Sequence, residues 1–406
     1  MSHLLHNQII SNAQHGFVTG RSTQTQQIQF LNNLTTLYDE NSQVEIIYLD
    51  FSKAFDKVSH PKLLYVLNHN KLHRNLILWI SKYLSGRSQT TYVEGSYSMT
   101  TPVSSGVPQG SVLGPLLFII YLENLIATIN HHCLKTTVYA YADDIKLVST
   151  DSQDLQQALD IVSTWTNDWG LFLNTNKSEH ITLRCKQPIS FSILNQVIPK
   201  VKNVRDLGLT LSEDLKWNSY VHKVRARANV VSHIILRTFT PSNTQLLVNL
   251  FKMYVRPIME YNTSSWSPYY KSDIHTIESV QMTFTRYLCQ RANIKFSNYE
   301  NRLDILNLES LESRRVKRDL LLLYKILNGL VDIDAADFFH ASTNGGYNLR
   351  RHKLQITRQK ILKTLCRQNF FSHRIVQHWN ELPENIVTSP SLTIFKHKLN
   401  KLKFQS

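Results

Sequence analysis

The spacing of hydrophobic residues changes character near the middle of the chain. "VEIIYLD" (44–50) is a β-branched and aromatic run, long enough for one buried strand and too short for a helix. "HPKLLYVLN" opens with Pro61, which suits a first helical turn, and "LILWISKYLSG" ends on Gly86 as a C-terminal cap. "SQTTYVEGSYSMTTPV" reads as two strands folded about Glu94-Gly95. In "DSQDLQQALDIVSTWTNDWG" (151–170), Leu155, Leu159, Val162, Trp165 and Trp169 form the apolar stripe of a helix that Gly170 ends. After about Trp217 strand signals fade and helical periods follow one another. They run through "YVHKVRARANVVSHIILRTF", "TQLLVNLFKMYVRPIMEY", "DIHTIESVQMTFTRYLCQ" and "LESLESRRVKRDLLLLYKILNGL", the last closed by Gly329. "ASTNGGYNLRRHK" reads as a basic loop. The expected architecture is therefore α+β to about residue 212, then a mostly helical half.

Length and composition narrow this picture. A chain of 406 residues holds two or three domains. The longest unbroken apolar run, "LLFIIYL" (116–122), is far short of a membrane span, so no membrane partner is expected. The N-terminus lacks the basic and apolar segments of a secretory signal. Cys133, Cys185, Cys289 and Cys366 are scattered, which suits a reducing, intracellular compartment, nuclear or cytoplasmic. His69 and His73 share helical i,i+4 spacing but have no third zinc ligand in view. The net charge of +15 is segregated: residues 1–200 carry 14 basic and 14 acidic side chains, residues 201–406 carry 31 and 16. A neutral half joined to a basic half suggests a chemical module beside one that grips a polyanion; a solvated lysine-rich surface is the alternative.

Asp50 ends a predicted strand, while Asp143 and Asp144 interrupt the apolar run "VYAYADDIKLV" as the tip of a hairpin. Adjacent aspartates at such a tip serve ordinary turn chemistry. They also serve Mg²⁺, a hard cation held by one or two carboxylates with substrate phosphates. The segment "SSGVPQGSVLGPLLF" (104–118) places three glycines before an apolar helix, where backbone can approach a ligand closely. It is neither a P-loop nor a nucleophile elbow.

Taken together, "LDFSKAFD", "SSGVPQGSVLGPLLF", "YADD", "GLFLNTNKSE" and "LGLTLSEDLKW" resemble reverse transcriptase motifs A to E in order and spacing, and "QHGFVTGRST" resembles the finger segment before them. The variety resembles non-LTR retrotransposons of the jockey and chicken-repeat type, which also carry segments like "YVRPIMEYNTSSWSP", "IESVQ" and "WNELPENIV". The resemblance implies a right-hand polymerase palm with partial fingers (1–212), a helical thumb (213–295) and a basic helical C-terminal region (296–406). It implies RNA-directed DNA synthesis with two Mg²⁺ ions, Mn²⁺ substituting, on an RNA template, a DNA primer or target and deoxynucleoside triphosphates. Asp50 and Asp143 match the metal-binding carboxylates, with Asp144 beside them. The Phe51 carbonyl would complete a site, and Phe55 matches the aromatic gate against a ribose 2′-OH. Gln109 and Gly110 match the pair that positions nucleotide and template, Lys177 a general acid, Leu207 and Gly208 the primer grip, and Arg21 a template contact. Trp217, Trp266, Tyr287 and Trp379 are expected in helix cores rather than against bases. Only 13 residues precede Gln14, which implies an N-terminally truncated copy without the upstream fingers or an endonuclease. The alternatives are a binding protein that keeps the fold without catalysis, and an RNA-dependent RNA polymerase.

Overall fold

A computed structural model describes residues 2–7, 9–240, 243–341, 352, 354–357, 363–402 and 404. The loop expected in "ASTNGGYNLRRHK" lies almost entirely outside the described residues. The chain divides into two compact units, Met1–Gln26 with Asn41–Lys202, and Gln27–Glu40 with Asn203–Ser406. The division falls at Lys202, ahead of the 212 boundary read from the sequence, and segments 213–295 and 296–406 pack in one unit.

The first unit is built on a four-stranded antiparallel sheet. Strand β1 (Val44–Leu49) leads through a short β2 (Phe51–Ser52) to helices α1 (His60–His69) and α2 (Arg74–Leu84). Helix α3 (Leu113–His132), strands β3 (Thr136–Tyr141) and β4 (Asp144–Ser149), helix α4 (Ser152–Trp169), and strands β5 (Phe172–Leu173) and β6 (Glu179–Leu183) follow. The spatial order is β6-β1-β4-β3, and β2 pairs with β5 beside it. Leu49 faces Ile145 and Ile47 faces Leu147, so their side chains share one face of the pleat. Helices α3 and α4 pack against each other and against this sheet. Asp151 caps α4 by accepting from the Gln153 and Asp154 amides, and Gly170 ends it at φ 75°. Leu155, Leu159, Val162 and Trp165 are buried as the stripe requires.

Helix α3 is apolar on nearly all sides, as a helix buried in a core must be. It is the one helix among the described residues long and apolar enough to cross a membrane, and 61% of its apolar window is buried in the protein. Counting unbroken apolar runs overlooks it, because Glu123 and Asn124 interrupt the run. At the far end of the sheet Glu45 is buried beneath His180 Nε2 at 2.6 Å and Thr182 Oγ1 at 2.8 Å. Burial opposes its charge, but hydrogen bonds from His180, Gln43 and Thr182 outweigh burial and hold the carboxyl below the usual glutamate range.

The second unit is mostly helical, with a hairpin, β7 (Asn203–Asp206) with β8 (Leu209–Ser212), and a short antiparallel pair, His340–Ala341 with Ile356–Thr357. Helices α5 (Asn218–Thr238) and α6 (Lys271–Arg291) pack side by side, and α7 (Leu311–Leu327) follows. The single helix expected over "TQLLVNLFKMYVRPIMEY" is interrupted by a π-helical turn, Phe251–Val255. Pro257 lacks an amide hydrogen, and its ring crowds the carbonyl four residues back, so the preceding turn widens. Trp217, Trp266 and Trp379 are buried, with Trp266 wedged edge-on against Tyr220, while Tyr287 is 42% exposed.

A few of this unit's cations are internal: Arg302, Arg315, Lys317 and Arg367 are buried. Glu260, also buried, holds both Arg314 and Arg318, the latter at 2.6 Å. Most of the basic excess among the described residues therefore stays at the surface.

Removing Glu45 leaves His180 and Thr182 without their buried partner. Glu45→Ala is expected to lower unfolding free energy by roughly 3 kcal/mol in urea titrations. Because the folded carboxyl titrates below its unfolded value of 4.5, the stabilisation is present above that pH and lost as pH falls through the folded pKa.

Candidate active site

Strand pairing alone brings the aspartates to one place. With Leu49 opposite Ile145, Asp50 leaves β1 at the level where the β3–β4 hairpin turns. Tyr141 pairs with Asp144, so the turn residues are Ala142 and Asp143, and Asp144 already belongs to β4. The expected Asp-Asp tip is thus an Ala-Asp tip, with Ala142 in the left-handed region at φ 56°. Asp143 is half-buried and Asp144 exposed. Burial, reinforced by the Asp50 carboxylate, pushes the Asp143 carboxyl above the usual aspartate range despite a hydrogen bond from its own backbone. The backbone of Asp50 is held from both sides: its carbonyl accepts from Asn174 N at 2.7 Å, and its amide donates to Ser178 Oγ at 3.4 Å. Lys177, between those two anchors, is exposed.

Among the described residues no three His, Cys, Asp or Glu side chains form a ready metal cluster. Two hard carboxylates, one of them raised by burial and by the charge of the other, do fit a divalent cation that takes its remaining ligands from water and phosphate.

The segment 55–60 and the glycine-rich loop are stapled together. Val107 N donates to Phe55 O at 2.9 Å, Gly106 N to Val58 O at 2.8 Å, and Gln109 Nε2 to Asp56 Oδ1 at 2.8 Å. A Cβ on Gly106 would lie 2.8 Å from the Asp56 backbone, and its φ is +91°, so glycine is required there. Gly110, at φ 78°, has open space around it. Phe51 is buried and paired with Leu173. Phe55 stacks on Phe118 at 4.2 Å between centroids and receives the edge of Phe17 at 6.3 Å.

Three residues of the finger-like segment, to which the sequence assigned no individual role, lie around this site. Gln14, fully buried, accepts from Ala142 N at 2.9 Å and from Gly16 N at 2.7 Å. Gly16 approaches so closely that a Cβ would meet Ala142 N at 2.4 Å. Residues 13–15 run parallel to β3, exchanging bonds with Ala140 at 2.8 and 2.9 Å, and so carry Gln14 to the turn. Phe17, at φ 58° and 52% exposed, is the third. Only a parallel bridge between segments distant in sequence makes these three neighbours of the site.

Arg21 braces the same loop, donating to Ser11 O at 2.6 Å, Gln14 O at 2.7 Å and Asn12 Oδ1 at 3.0 Å. Beside it, burial pushes the Glu123 carboxyl up to about 7 although the Ser11 amide and Arg21 pull the other way. In the second unit, Leu207 and Gly208 form the β7–β8 turn at φ 43° and 87°. Tyr261 OH donates to Leu207 O at 2.9 Å, and its ring lies 3.1 Å from a Cβ built on Gly208.

Residues 1–211 match the family model described as "Reverse transcriptase (RNA-dependent DNA polymerase)". The chain is 26% identical over 287 residues to a probable RNA-directed DNA polymerase from the X-element transposon of Drosophila melanogaster, covering 68% of this chain and 31% of that protein. It is 26% identical over 259 residues to the RNA-directed DNA polymerase of the mobile element jockey from the same fly, covering 60% and 28%. The chain thus spans about a third of the length of these relatives. Apo telomerase from Candida tropicalis aligns at 12% identity with a TM-score of 0.41, over 72% of this chain and 50% of that one.

A carboxyl raised by burial and a like charge costs stability while ionised, and that cost vanishes as pH falls through its folded pKa. In the metal-free protein with chelator, Asp143→Asn is expected to raise the melting temperature at neutral pH. The gain should shrink as pH approaches the ordinary aspartate range, read by thermal denaturation.

Proposed function

The chain belongs to the reverse transcriptase (RNA-dependent DNA polymerase) family, and from that membership we propose that it extends a DNA primer on an RNA template as the polymerase of a non-LTR retrotransposon. The observation that carries this reading is the register of β1 against β4, which sets Asp50 and Asp143 within electrostatic reach of each other. Two Mg²⁺ ions, when bound, lower the pKa of the primer 3′-OH and stabilise the departing pyrophosphate. Asp50 and Asp143, with the Phe51 carbonyl, would hold them, and Asp144 would add negative charge from the start of β4. The clamp on the Asp50 backbone and the Gln14 amide on the turn fix the two carboxylates before substrate arrives, which supports preorganised catalysis.

Phe55 presents its ring where a ribose 2′-OH would sit, and the Phe118 and Phe17 rings hold it there. That favours deoxynucleoside triphosphates. Gln109 and the open Gly110 backbone position the incoming nucleotide against the template. Lys177, exposed three residues past the anchor at Asn174, donates the proton that pyrophosphate takes up on leaving. In the second unit the Leu207–Gly208 turn, stiffened by Tyr261, offers backbone to primer phosphates, and Arg21 orders the loop that meets the template. Residues 1–212 act as partial fingers and palm, 213–295 as thumb, and 296–406 as a basic extension that binds nucleic acid in a salt-sensitive way.

The test is extension of a labelled DNA primer on an RNA template with Mg²⁺. Asp50→Asn and Asp143→Asn are each expected to lower the rate by about a hundredfold or more, the loss of several kcal/mol of transition-state stabilisation. Salt-sensitive binding with no extension, unchanged by Asp50→Asn, would instead mark a noncatalytic binding protein. Phe55→Val is expected to admit ribonucleotides while keeping deoxynucleotide incorporation. Equal use of both by the parent protein would remove Phe55 from its assigned role and favour RNA synthesis.

A further inference from the structure

The neutral charge of residues 1–200 conceals a second segregation. Residues 57–122 carry six Lys and Arg and a single acidic residue, Glu94. Within that stretch every residue from 85 to 102 is exposed. It forms one long β-ribbon. Ser88 pairs with Pro102 and Tyr92 with Tyr97, and Glu94-Gly95 turn the chain at φ 48° and 85°. Between the paired segments, serine and threonine fill the ladder: Thr91 N donates to Ser98 Oγ at 2.9 Å, and Thr90 Oγ1 lies 3.0 Å from Thr100 Oγ1. A two-stranded ribbon is marginal by itself in water, and this one keeps its largest side chains outside. Tyr92 is 60% exposed and Tyr97 75%, and their rings lie 4.7 Å apart across the strands.

Helix α2, at the base of the ribbon, shows the same chemistry. Trp79 is 52% exposed and stacks on Tyr83 at 5.7 Å with ring planes 10° apart. Arg87, the first ribbon residue after Gly86, sets its guanidinium 5.7 Å over the Tyr83 ring. Lys82 and Arg74 are exposed on the same helix. Apolar surface alone would not say what covers it, but exposed rings on the ribbon and the helix, with Arg74, Lys82 and Arg87 on α2 and at the ribbon's base and Glu94 the one carboxylate from 57 to 122, match one kind of polymer. Unpaired bases stack on such rings whatever their sequence, and the cations neutralise the backbone between them. A duplex hides its base faces and has no use for the tyrosines.

We propose that α2 and the 88–102 ribbon form a second binding surface for single-stranded nucleic acid, apart from the carboxylate site. Tyr92, Tyr97 and Trp79 stack on bases, and Arg87, Lys82 and Arg74 contact phosphates. Since stacking ignores the sugar, the surface takes RNA and DNA strands alike.

The full chain offers a selective probe. Trp79 is exposed, whereas Trp165, Trp217, Trp266 and Trp379 are buried and Trp169 is half-buried, stacked on Trp165. Oligouridine and oligothymidine of about twelve nucleotides are expected to quench the exposed tryptophan emission, and an RNA duplex of equal length is not. Trp79→Phe removes the quench. Tyr92→Ser/Tyr97→Ser, which alters only exposed side chains, shifts it to tenfold or higher oligonucleotide concentration, while primer extension on a short template continues. Arg87→Ala lowers the salt dependence of the quench by about one phosphate contact. An unchanged quench in the double tyrosine variant, or equal quenching by duplex, overturns the proposal. So does loss of self-association in that variant with oligonucleotide binding intact, which assigns the surface to a second copy of the chain.

Discussion

Side chains on a strand alternate between faces, so the register of β1 against β4 decides two things at once. Leu49 opposite Ile145 and Ile47 opposite Leu147 put four apolar side chains on the face that α3 and α4 cover. The same pairing delivers Asp50 to the height of the β3–β4 turn. A slip of one residue would turn those four side chains away from the helices and carry Asp50 off the level of Asp143. Core and site therefore stand or fall on one alignment. Selection for a well-packed sheet also selects for the carboxylate pair.

The two compact units handle charge in different ways. In the first, the sheet buries Glu45 with His180 and Thr182 and leaves Asp143 with a like charge for company. In the second, buried carboxylates are matched by guanidinium groups nearer the surface. Glu260 serves the half-buried Arg314 and the exposed Arg318, and Asp319 accepts from the half-buried Arg374 Nε at 2.8 Å. Removing such an arginine is costly because it leaves a buried carboxylate without its partner.

Period and punctuation are enough to locate β1, α4 and the Glu94-Gly95 turn, because each is settled by local chemistry: a short β-branched run, an Asp cap with a glycine stop, two residues with positive φ. The place of Asp50 and Asp143 is legible too, through the order of motifs. What local chemistry cannot supply is anything made by distant segments. Gln14 and Gly16 fall in the segment that resembles the fingers, but nothing local shows the parallel bridge to Ala140 that sets them on the Ala142 peptide. The π turn before Pro257 escapes a period count, since one extra residue per turn barely disturbs the apolar spacing. The burial of Arg367 is invisible for the same reason: its partners Asn32 and Thr35 sit more than 300 residues away along the chain.

The hydrogen bond from Ala142 to Gln14 joins residues 128 apart. Closing a loop of that length costs about 4 kcal/mol in chain entropy, far more than one amide bond returns. The clamp is thus a product of the folded sheet and cannot help to nucleate it. The Ala142–Asp143 turn therefore depends for its anchor on the amino-terminal segment lying along β3, and a change that loosens that segment reaches the Asp143 backbone without touching β1 or β4.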